Sequence, residues 1–312
     1  RLELCHALQA NDEGALQKAH DISEEVLEHA TENGWRTIGG RARLAIGHCL
    51  IYLGDPDASL EILEHGVEDL ESTDEADNRG ALARGLLVLS TRYRSRGSHE
   101  RAEQVLRRAQ DLLRGIGNRP REIRARLALA DLLWRLGRDD ECRAQLRRSR
   151  RTAERIRSRA ALAQVYHARG EFRRHRGHLE QALSDYREAV RLWGGVSSLN
   201  RFINDMNAAL TLLGLGELDE ASAIMRRLED EADDQGLQVT APVFRTARAV
   251  IGVRRGDVDG ATTHLDRLDE LDWQSSLAAP DVQWLARMGL DAARSAGNED
   301  IAGRFHTLVD LN

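Results

Sequence analysis

The chain has 312 residues, of which 31% are charged and only 4% aromatic, with four prolines and a net charge of −6. This composition is typical of a largely helical protein. No apolar run approaches the length that crosses a membrane and the first residues lack a signal-peptide layout, so we expect a soluble chain cut from a longer protein. Cys5, Cys49 and Cys142 are too far apart and odd in number for a disulfide framework, which suits a reducing cytoplasm.

Lysine is almost absent from the chain. Lys18 is the one lysine, and it lies in Ala-Leu-Gln-Lys-Ala without a glycine-rich loop. A phosphate-binding P-loop needs Gly-x-x-x-x-Gly-Lys-Ser/Thr, and a protein kinase needs a lysine on a strand. Both nucleotide-dependent classes are therefore excluded within this segment.

A recurring glycine organises the whole chain. Seven glycines follow one another at intervals of 39 to 43 residues, and each is followed by an acid after three residues and a small residue after five. A large apolar residue comes eight or nine residues after each of them. They are Gly54, Gly97, Gly137, Gly177, Gly216, Gly256 and Gly297. A period of about 40 residues is typical of a stacked helical array, and it makes an enzyme a less expected function.

Each glycine is predicted to separate two helices. In the fourth repeat, apolar residues recur at three- and four-residue steps from Pro120 to Leu136. Gly137 ends that helix, because glycine adopts positive φ without strain, and a second helix runs from Asp139 to Ile156. The sequence predicts a single domain over 1–312 with repeats at about 1–32, 35–72, 78–115, 120–156, 158–193, 198–236, 240–272 and 279–312.

A second small residue comes seven positions before the glycine in every repeat from Gly54 onward except the last, which has Leu290 there. These small, glycine, small and large positions together resemble the tetratricopeptide repeat (TPR). The fifth repeat shows the pattern best, with Gly170, Gly177, Ala182, Tyr186 and Ala189. The resemblance covers nearly the whole chain, although the first repeat has Ala10 in place of the glycine. It implies an all-α fold, a right-handed α-α superhelix or TPR-like solenoid of about eight helix-turn-helix repeats.

The repeats depart from this family in length and in one aromatic position. They run to about 40 residues rather than 34, and the aromatic residue four positions before the glycine survives only as Tyr93. Such long, degenerate repeats look like those of large bacterial signalling and regulatory proteins, including LuxR-type regulators, signal-transducing ATPases and some Ser/Thr kinases. HEAT-type arrays share the period and remain an alternative.

Charge is distributed unevenly along the chain. Residues 1–90 carry a net charge of −11, residues 91–200 carry +14 and residues 201–312 carry −9. The densest basic stretch runs from Arg143 to Arg159, on one predicted helix and its exit turn. Both a solvated helix face and a site for an acidic partner fit this stretch.

In TPR arrays the first helix of each pair lines a groove, and the resemblance locates groove positions by their distance from the glycine. The candidate binding residues are Arg84, Arg94, Arg124, Asp131, Trp134, Arg135, His167 and Arg174. Arginines around one tryptophan suit an extended acidic peptide, because the charges attract it and the ring provides apolar contact. Trp134 fits a packing role between helices equally well.

The sequence offers no catalytic or metal-binding set. His48 and Cys49 are adjacent and point about 100° apart on a helix, so they do not form a nucleophile–base pair. Cys49 and Cys142 are predicted to be buried, unreactive thiols. His175 and His178 flank a turn instead of sharing a helix face. We therefore expect no catalytic residue, no metal and no cofactor.

These patterns indicate a non-catalytic protein–protein interaction, scaffold or sensing module of a larger cytoplasmic signalling protein, which binds an acidic peptide or partner segment in a basic central groove. A signalling-peptide or small-ligand receptor coupled to an effector domain is an alternative. Nucleic-acid binding is less favoured, because the basic middle has few aromatic residues and acidic flanks. Self-association is a further alternative, because the last helix has an apolar stripe with no repeat after it. That stripe comprises Ile301, Phe305, Leu308, Val309 and Leu311.

Overall fold

The computed structural model describes residues 13–53, 55–73, 78–194, 197–235, 240–271 and 279–309. Within these residues the chain forms α-helices joined by turns and contains no β-strand. The helices are α1 Glu13–Glu32, α2 Arg36–Tyr52, α3 Pro56–Glu71, α4 Arg79–Ser95, α5 His99–Gly115, α6 Arg119–Arg135, α7 Asp139–Arg155, α8 Arg159–His175, α9 Leu179–Trp193, α10 Ser198–Leu215, α11 Leu218–Gln235, α12 Ala241–Arg255, α13 Val258–Asp269, α14 Ala279–Ser295 and α15 Glu299–Val309.

The helices follow the predicted repeats. α2 and α3 form the second pair, and the pairing continues in chain order to α14 and α15 in the eighth. α1 is the second helix of the first repeat, whose predicted first helix lies outside the described residues. Helices that follow one another in the chain pack together, as in the pairs α2–α3, α4–α5 and α14–α15. The predicted all-α, TPR-like class of fold is confirmed.

Positive backbone φ angles occur at the predicted turn glycines. They are found at Gly97, Gly137, Gly177, Gly216, Gly256 and Gly297, with φ between 70° and 86°. At the end of α6, the Gly137 N–H donates to the Trp134 carbonyl at 3.0 Å and the Arg138 N–H donates to the Leu133 carbonyl at 2.8 Å. These bonds satisfy the last carbonyls of the helix. The predicted helix ends are confirmed there, while Gly54 lies outside the described residues.

A second kind of turn joins one pair to the next, and one of these turns holds a strained residue. Gly34 and Gly117 occupy such turns with φ of 71°, whereas Arg157 has φ of 52° and is the one non-glycine with positive φ among the described residues. The Arg157 N–H still donates to the Glu154 carbonyl at 3.0 Å. The left-handed conformation costs a non-glycine residue about 1–2 kcal/mol.

Small and large residues interlock across each helix pair. A Cβ atom on Gly170 would lie 2.7 Å from the Tyr186 ring, so a larger side chain has no room on α8. In the last repeat, Leu290 stands where other repeats have a small residue, and Gly289 receives Phe305 instead. The interlocking predicted from the repeat pattern is therefore present, with a shift of one residue in the eighth repeat.

The chain divides into two compact bodies. The N-terminal body ends at Ala161 and the C-terminal body begins at Leu162, within α8. Phe202 and Phe244 meet edge to face in the core of the C-terminal body, with ring centroids 6.4 Å apart. The core of the N-terminal body includes Leu63, Leu106, Ile123 and Leu129. The single continuous solenoid over 1–312 stays a prediction.

Most of the apolar stripe that the structure describes on the last helix is covered within the chain. Ile301, Phe305 and Leu308 are buried, and Phe305 packs against Gly289 of α14. Leu311 lies outside the described residues. The buried residues of this stripe are covered by α14, which packs on α15, and self-association through the last repeat stays a prediction.

Among the helices that the structure describes, none combines the length and the apolar character of a membrane-spanning segment.

Candidate functional site

The predicted residues of the N-terminal body meet between two first helices. Arg94 of α4 forms an ion pair with the Asp131 carboxylate of α6. Asp131 also accepts hydrogen bonds from Trp134 Nε1 at 3.1 Å and from Arg135 Nε at 3.1 Å. Four candidate residues, Arg94, Asp131, Trp134 and Arg135, thus form one group, which we name the α4–α6 cluster. The ion pair between α4 and α6 places their counted positions on a common face.

Trp134 is packed within this cluster. Only 9% of the residue is exposed, and the Arg135 guanidinium carbon lies 4.7 Å from the ring centroid. A guanidinium over an indole face is attracted by about 0.5–1 kcal/mol at a partly exposed site. Of the two roles that the sequence allows for Trp134, the structure shows packing, and its ring is not an open apolar surface.

Arg84 and Arg124 lie further from the turns on the same two helices. Both side chains are exposed. Each precedes a cluster residue by ten positions, Arg94 in α4 and Trp134 in α6, which corresponds to about 15 Å along a helix. The predicted set therefore includes four arginines on α4 and α6, of which Arg94 and Arg135 engage Asp131.

In the C-terminal body, His167 takes part in a contact between helices. Its Nδ1 lies 3.1 Å from Asn204 Oδ1, which joins α8 to α10. Its ring lies 6.2 Å from the Tyr186 ring, centroid to centroid. The His167 side chain is partly buried and already has a hydrogen-bond partner.

Arg174 is not an open groove residue, contrary to expectation. Its side chain is 0% exposed, because α14 lies over α8 within this body. Its Nη2 is 2.6 Å from Asp281 Oδ1 and 3.1 Å from Glu171 Oε2. Its guanidinium carbon lies 4.8 Å from the Trp284 ring centroid. We name Glu171, Arg174, Asp281 and Trp284 the Arg174 cluster.

Mutual attraction keeps the Arg174 cluster charged. Burial raises the pKa of Glu171, but the charge of Arg174 and bonds from His175 and Tyr186 outweigh burial and hold that pKa well below its usual value. Burial lowers the pKa of Arg174, yet Glu171 and Asp281 hold it well above its usual value. Burial and the charge of Glu171 also raise the pKa of Tyr186. At neutral pH the Arg174–Glu171 pair is therefore ionised.

A buried carboxylate on α6 was not found by sequence reasoning. Glu122 is 1% exposed and accepts from Arg126 Nη2 at 2.5 Å and from Arg119 Nη1 at 2.7 Å. Arg114 Nε of α5 lies 3.7 Å from the same carboxylate. We name these four residues the Glu122 cluster. The signal was available, because residues 119, 122 and 126 are spaced to share one helix face.

Asp185 of α9 is a second buried carboxylate. Arg169 donates two hydrogen bonds to it, at 2.9 and 2.5 Å, and Arg173 Nη1 donates a third at 2.6 Å. These partners lie 12 and 16 positions away, so no local spacing in the sequence could have indicated them. The Arg169 guanidinium carbon also lies 4.8 Å from the Tyr166 ring centroid. Buried acids that bind two arginines are thus present in both bodies.

The described cysteines are buried, as predicted. Cys49 and Cys142 are both 0% exposed. Burial raises the pKa of the Cys49 thiol to about 11 and lowers the pKa of the neighbouring His48. A neutral thiol beside a neutral imidazole is a poor nucleophile. Cys5 lies outside the described residues.

One exposed turn of α1 brings potential metal ligands together. Ligand atoms of His20, Asp21 and Glu24 lie within 4.8 Å of one another. Both carboxylates are largely exposed, and His20 lies 3.6 and 3.5 Å from them. Exposed acids beside a histidine are common on helices without any metal, so this turn is not a built metal site.

A tetratricopeptide repeat family model matches residues 123–148, 156–181 and 205–227. These segments lie on α6–α7, α8–α9 and α10–α11, which are three of the pairs described above. None of the curated protein sequences matches the chain. The matched segments and the helix pairs together show a TPR-like helical repeat domain.

Several solved structures share this fold. A Rap protein complexed with competence and sporulation factor superposes with a TM-score of 0.71 at 14% identity, over 88% of this chain and 74% of that chain. Aspartyl phosphate phosphatase F from Bacillus subtilis gives 0.71 at 11% identity, over 91% and 73%. The apo form of the quorum sensor NprR from B. thuringiensis gives 0.63 at 14% identity, over 99% and 86%. At these identities the likeness concerns the fold.

Proposed function

We propose that this chain is a non-catalytic interaction and sensing module that binds an acidic peptide or partner segment on the first helices of the N-terminal body. The observation that carries the proposal is the α4–α6 cluster. Arg94 and Asp131, chosen by counting from turn glycines, contact each other across neighbouring helices. A ligand lying across α4 and α6 would therefore meet both rows of side chains.

Charge supports an acidic ligand at this face. Asp131 engages Arg94 and Arg135 together, which holds both guanidinium groups in place. Arg84 and Arg124 add exposed charge about 15 Å away along the two helices. Peptide carboxylates bind arginines through paired hydrogen bonds, and exposed positive charge speeds their encounter with the chain.

A signalling-peptide receptor coupled to an effector domain is the second candidate, and it specifies the nature of the ligand. The Rap protein named above is complexed with competence and sporulation factor, and NprR is described as a quorum sensor. These properties belong to those proteins, and their shared fold supports the candidate. The proposed host is a cytoplasmic regulatory protein, consistent with two buried free thiols.

The non-catalytic part of the proposal rests on the polar groups themselves. The carboxylates of Asp131, Glu171 and Asp281 are engaged in ion pairs with arginines, and the described cysteines are buried. One protein of this fold is described as an aspartyl phosphate phosphatase, so the fold does not decide between binding and catalysis.

The test uses charge changes that leave the helices intact. A fluorescein-labelled peptide of alternating glutamate and leucine is titrated with the chain by fluorescence anisotropy, beside its glutamine counterpart. The variant Arg84→Gln/Arg124→Gln, which spares the Arg94–Asp131 pair, should weaken binding about tenfold, since a hydrogen bond to a charged group contributes about 1.5–3 kcal/mol and exposure reduces this.

The control variant is Arg287→Gln/Arg294→Gln, which removes the same charge from exposed positions on α14. It should bind like the parent chain, and circular dichroism should show equal helix content in all three proteins. Equal affinity of the Arg84→Gln/Arg124→Gln variant and the parent, or equal binding of the glutamine peptide, would contradict the proposed site.

A further inference from the structure

The Glu122 cluster brings guanidinium groups from two helices to one carboxylate. Arg126 and Arg119 of α6 lie 2.5 and 2.7 Å from Glu122, and Arg114 near the end of α5 lies 3.7 Å away. Arg126 Nη1 also lies 3.4 Å from Thr152 Oγ1 of α7. The positions of Arg119 and Arg126 are therefore fixed by a buried acid, whereas Arg114 lies at an exposed rim.

Positive charge at this cluster exceeds negative charge. Burial lowers the pKa of Arg126, and the charges of Arg114, Arg148 and Arg119 lower it further against the opposing effect of Glu122. Arg148 of α7 is thus close enough to repel Arg126. Three arginines surround Glu122, and one further acid, Asp111, pairs with Arg114 at 3.2 Å. Together with Arg148, these arginines exceed the two acids by two positive charges.

The charge pairing around Arg148 differs from that around the corresponding arginine one repeat earlier. One repeat earlier, Arg108 of α5 forms an ion pair with Glu71 of α3. Arg148 lies 40 positions after Arg108, and Asp111 lies 40 positions after Glu71. Asp111, however, pairs with Arg114. The acid that would neutralise Arg148 by the logic of the repeat is therefore engaged elsewhere. The exposed Arg148 side chain extends the rim beside Arg114.

We propose that the Glu122 cluster together with Arg148 binds a phosphate monoester. A monoester carries nearly two negative charges and three acceptor oxygens at neutral pH, which matches the excess charge and the number of guanidinium donors. Arg119 and Arg126 are pre-organised by Glu122, so they lose little conformational freedom on binding. Arg114 and Arg148 provide the exposed side through which the phosphate enters. A carboxylate has one charge and leaves part of the excess unmatched.

This site is separate from the peptide-binding face proposed above. Arg124 follows Glu122 by two positions, so it points about 200° away around α6. The two sites can therefore be tested independently. Arg287→Gln serves as the control, because it removes the same charge from an exposed position on α14 that belongs to neither proposed site.

The experiment measures binding of two phosphate monoesters. One probe is a fluorescein-labelled phosphoserine peptide flanked by alanines, compared by anisotropy with its serine form. The other is phenyl phosphate, measured by calorimetry, which reveals whether a small molecule suffices. For each monoester that binds, Arg148→Gln and Arg114→Gln should each lower the affinity about tenfold. This change is equivalent to about 1.4 kcal/mol at 25 °C. Arg287→Gln should leave that affinity unchanged.

A second variant separates binding from folding. Glu122→Gln removes the internal anion, so the variant chain should be less stable than the parent chain. Inorganic phosphate should then raise the unfolding temperature of the variant more than that of the parent. A purely structural cluster would lose stability without any phosphate-dependent recovery. The proposal is overturned if neither monoester binds, if the serine peptide binds equally, or if Arg287→Gln weakens binding as much as Arg148→Gln.

Discussion

Replacement of Asp281 by asparagine should destabilise the C-terminal body through Arg174. Asn keeps the shape of the side chain but removes the charge that lies 2.6 Å from Arg174 Nη2. Arg174 then remains buried with Glu171 as its one ion-pair partner at 3.1 Å. Breaking a buried ion pair from one side costs about 3–5 kcal/mol. Because Asp281 is 20% exposed and Glu171 retains part of the compensation, we expect about 2–3 kcal/mol.

The assay is urea unfolding followed by circular dichroism, in a double-mutant cycle. Arg174→Met keeps the length of the side chain over Trp284 and removes the buried charge. The Arg174→Met/Asp281→Asn protein should be more stable than the sum of the single losses predicts, by about 1–2 kcal/mol. Asp291→Asn, at an exposed position on the same helix, should change stability by less than about 0.5 kcal/mol. A loss for Asp281→Asn as small as this control, or additivity in the cycle, would refute the reasoning.

Three further predictions concern single residues. Arg157→Gly should stabilise the chain by about 0.5–1 kcal/mol in urea unfolding, because the strain of positive φ that it removes exceeds the entropic cost of ordering a glycine. Gly117→Arg should destabilise the chain for the same reason. Glu171 has a folded-state pKa below its usual value, so its contribution to the free energy of unfolding is present above about pH 4.5 and is lost as the pH falls. The free energy of unfolding should therefore depend less on pH in this range for Glu171→Gln than for the parent chain. In a Cys5→Ser background, Cys49 should react with a thiol reagent at neutral pH only after urea unfolds the chain, and fast reaction in the native state would contradict its burial.

The repeat frame could be predicted because it depends on local residue types. Gly137 ends α6 with positive φ, and Gly170 leaves space for the Tyr186 ring, as the spacing indicated. Each of these features depends on residues within a single helix pair; Gly170 and Tyr186, for example, are 16 residues apart. The shift to Gly289 is equally local, but it was missed because Leu290 occupies the expected position and the packing of Phe305 reveals the change.

Only part of the candidate site could be predicted from the sequence, because some charged residues pair with partners far away in the chain. Counting from the glycines brought Arg94 and Asp131 to one face, since neighbouring pairs repeat at a fixed interval. The same counting failed for Arg174, because its environment depends on α14. Its partner Asp281 lies on that helix, 107 positions further along the chain. Sequence periodicity describes nearest neighbours, and it carries no information on contacts between pairs that are far apart in order.

The contact between Arg174 and Asp281 has a consequence for how the C-terminal body folds. A repeat array can form one pair at a time, because each pair needs only its neighbour. Here the buried Arg174 charge is compensated fully only after α14 has formed, so the first and last pairs become stable together. A chain truncated before α14 should leave α8 loosened as well, and the body should fold late and as one cooperative block, more slowly than its local contacts alone would allow.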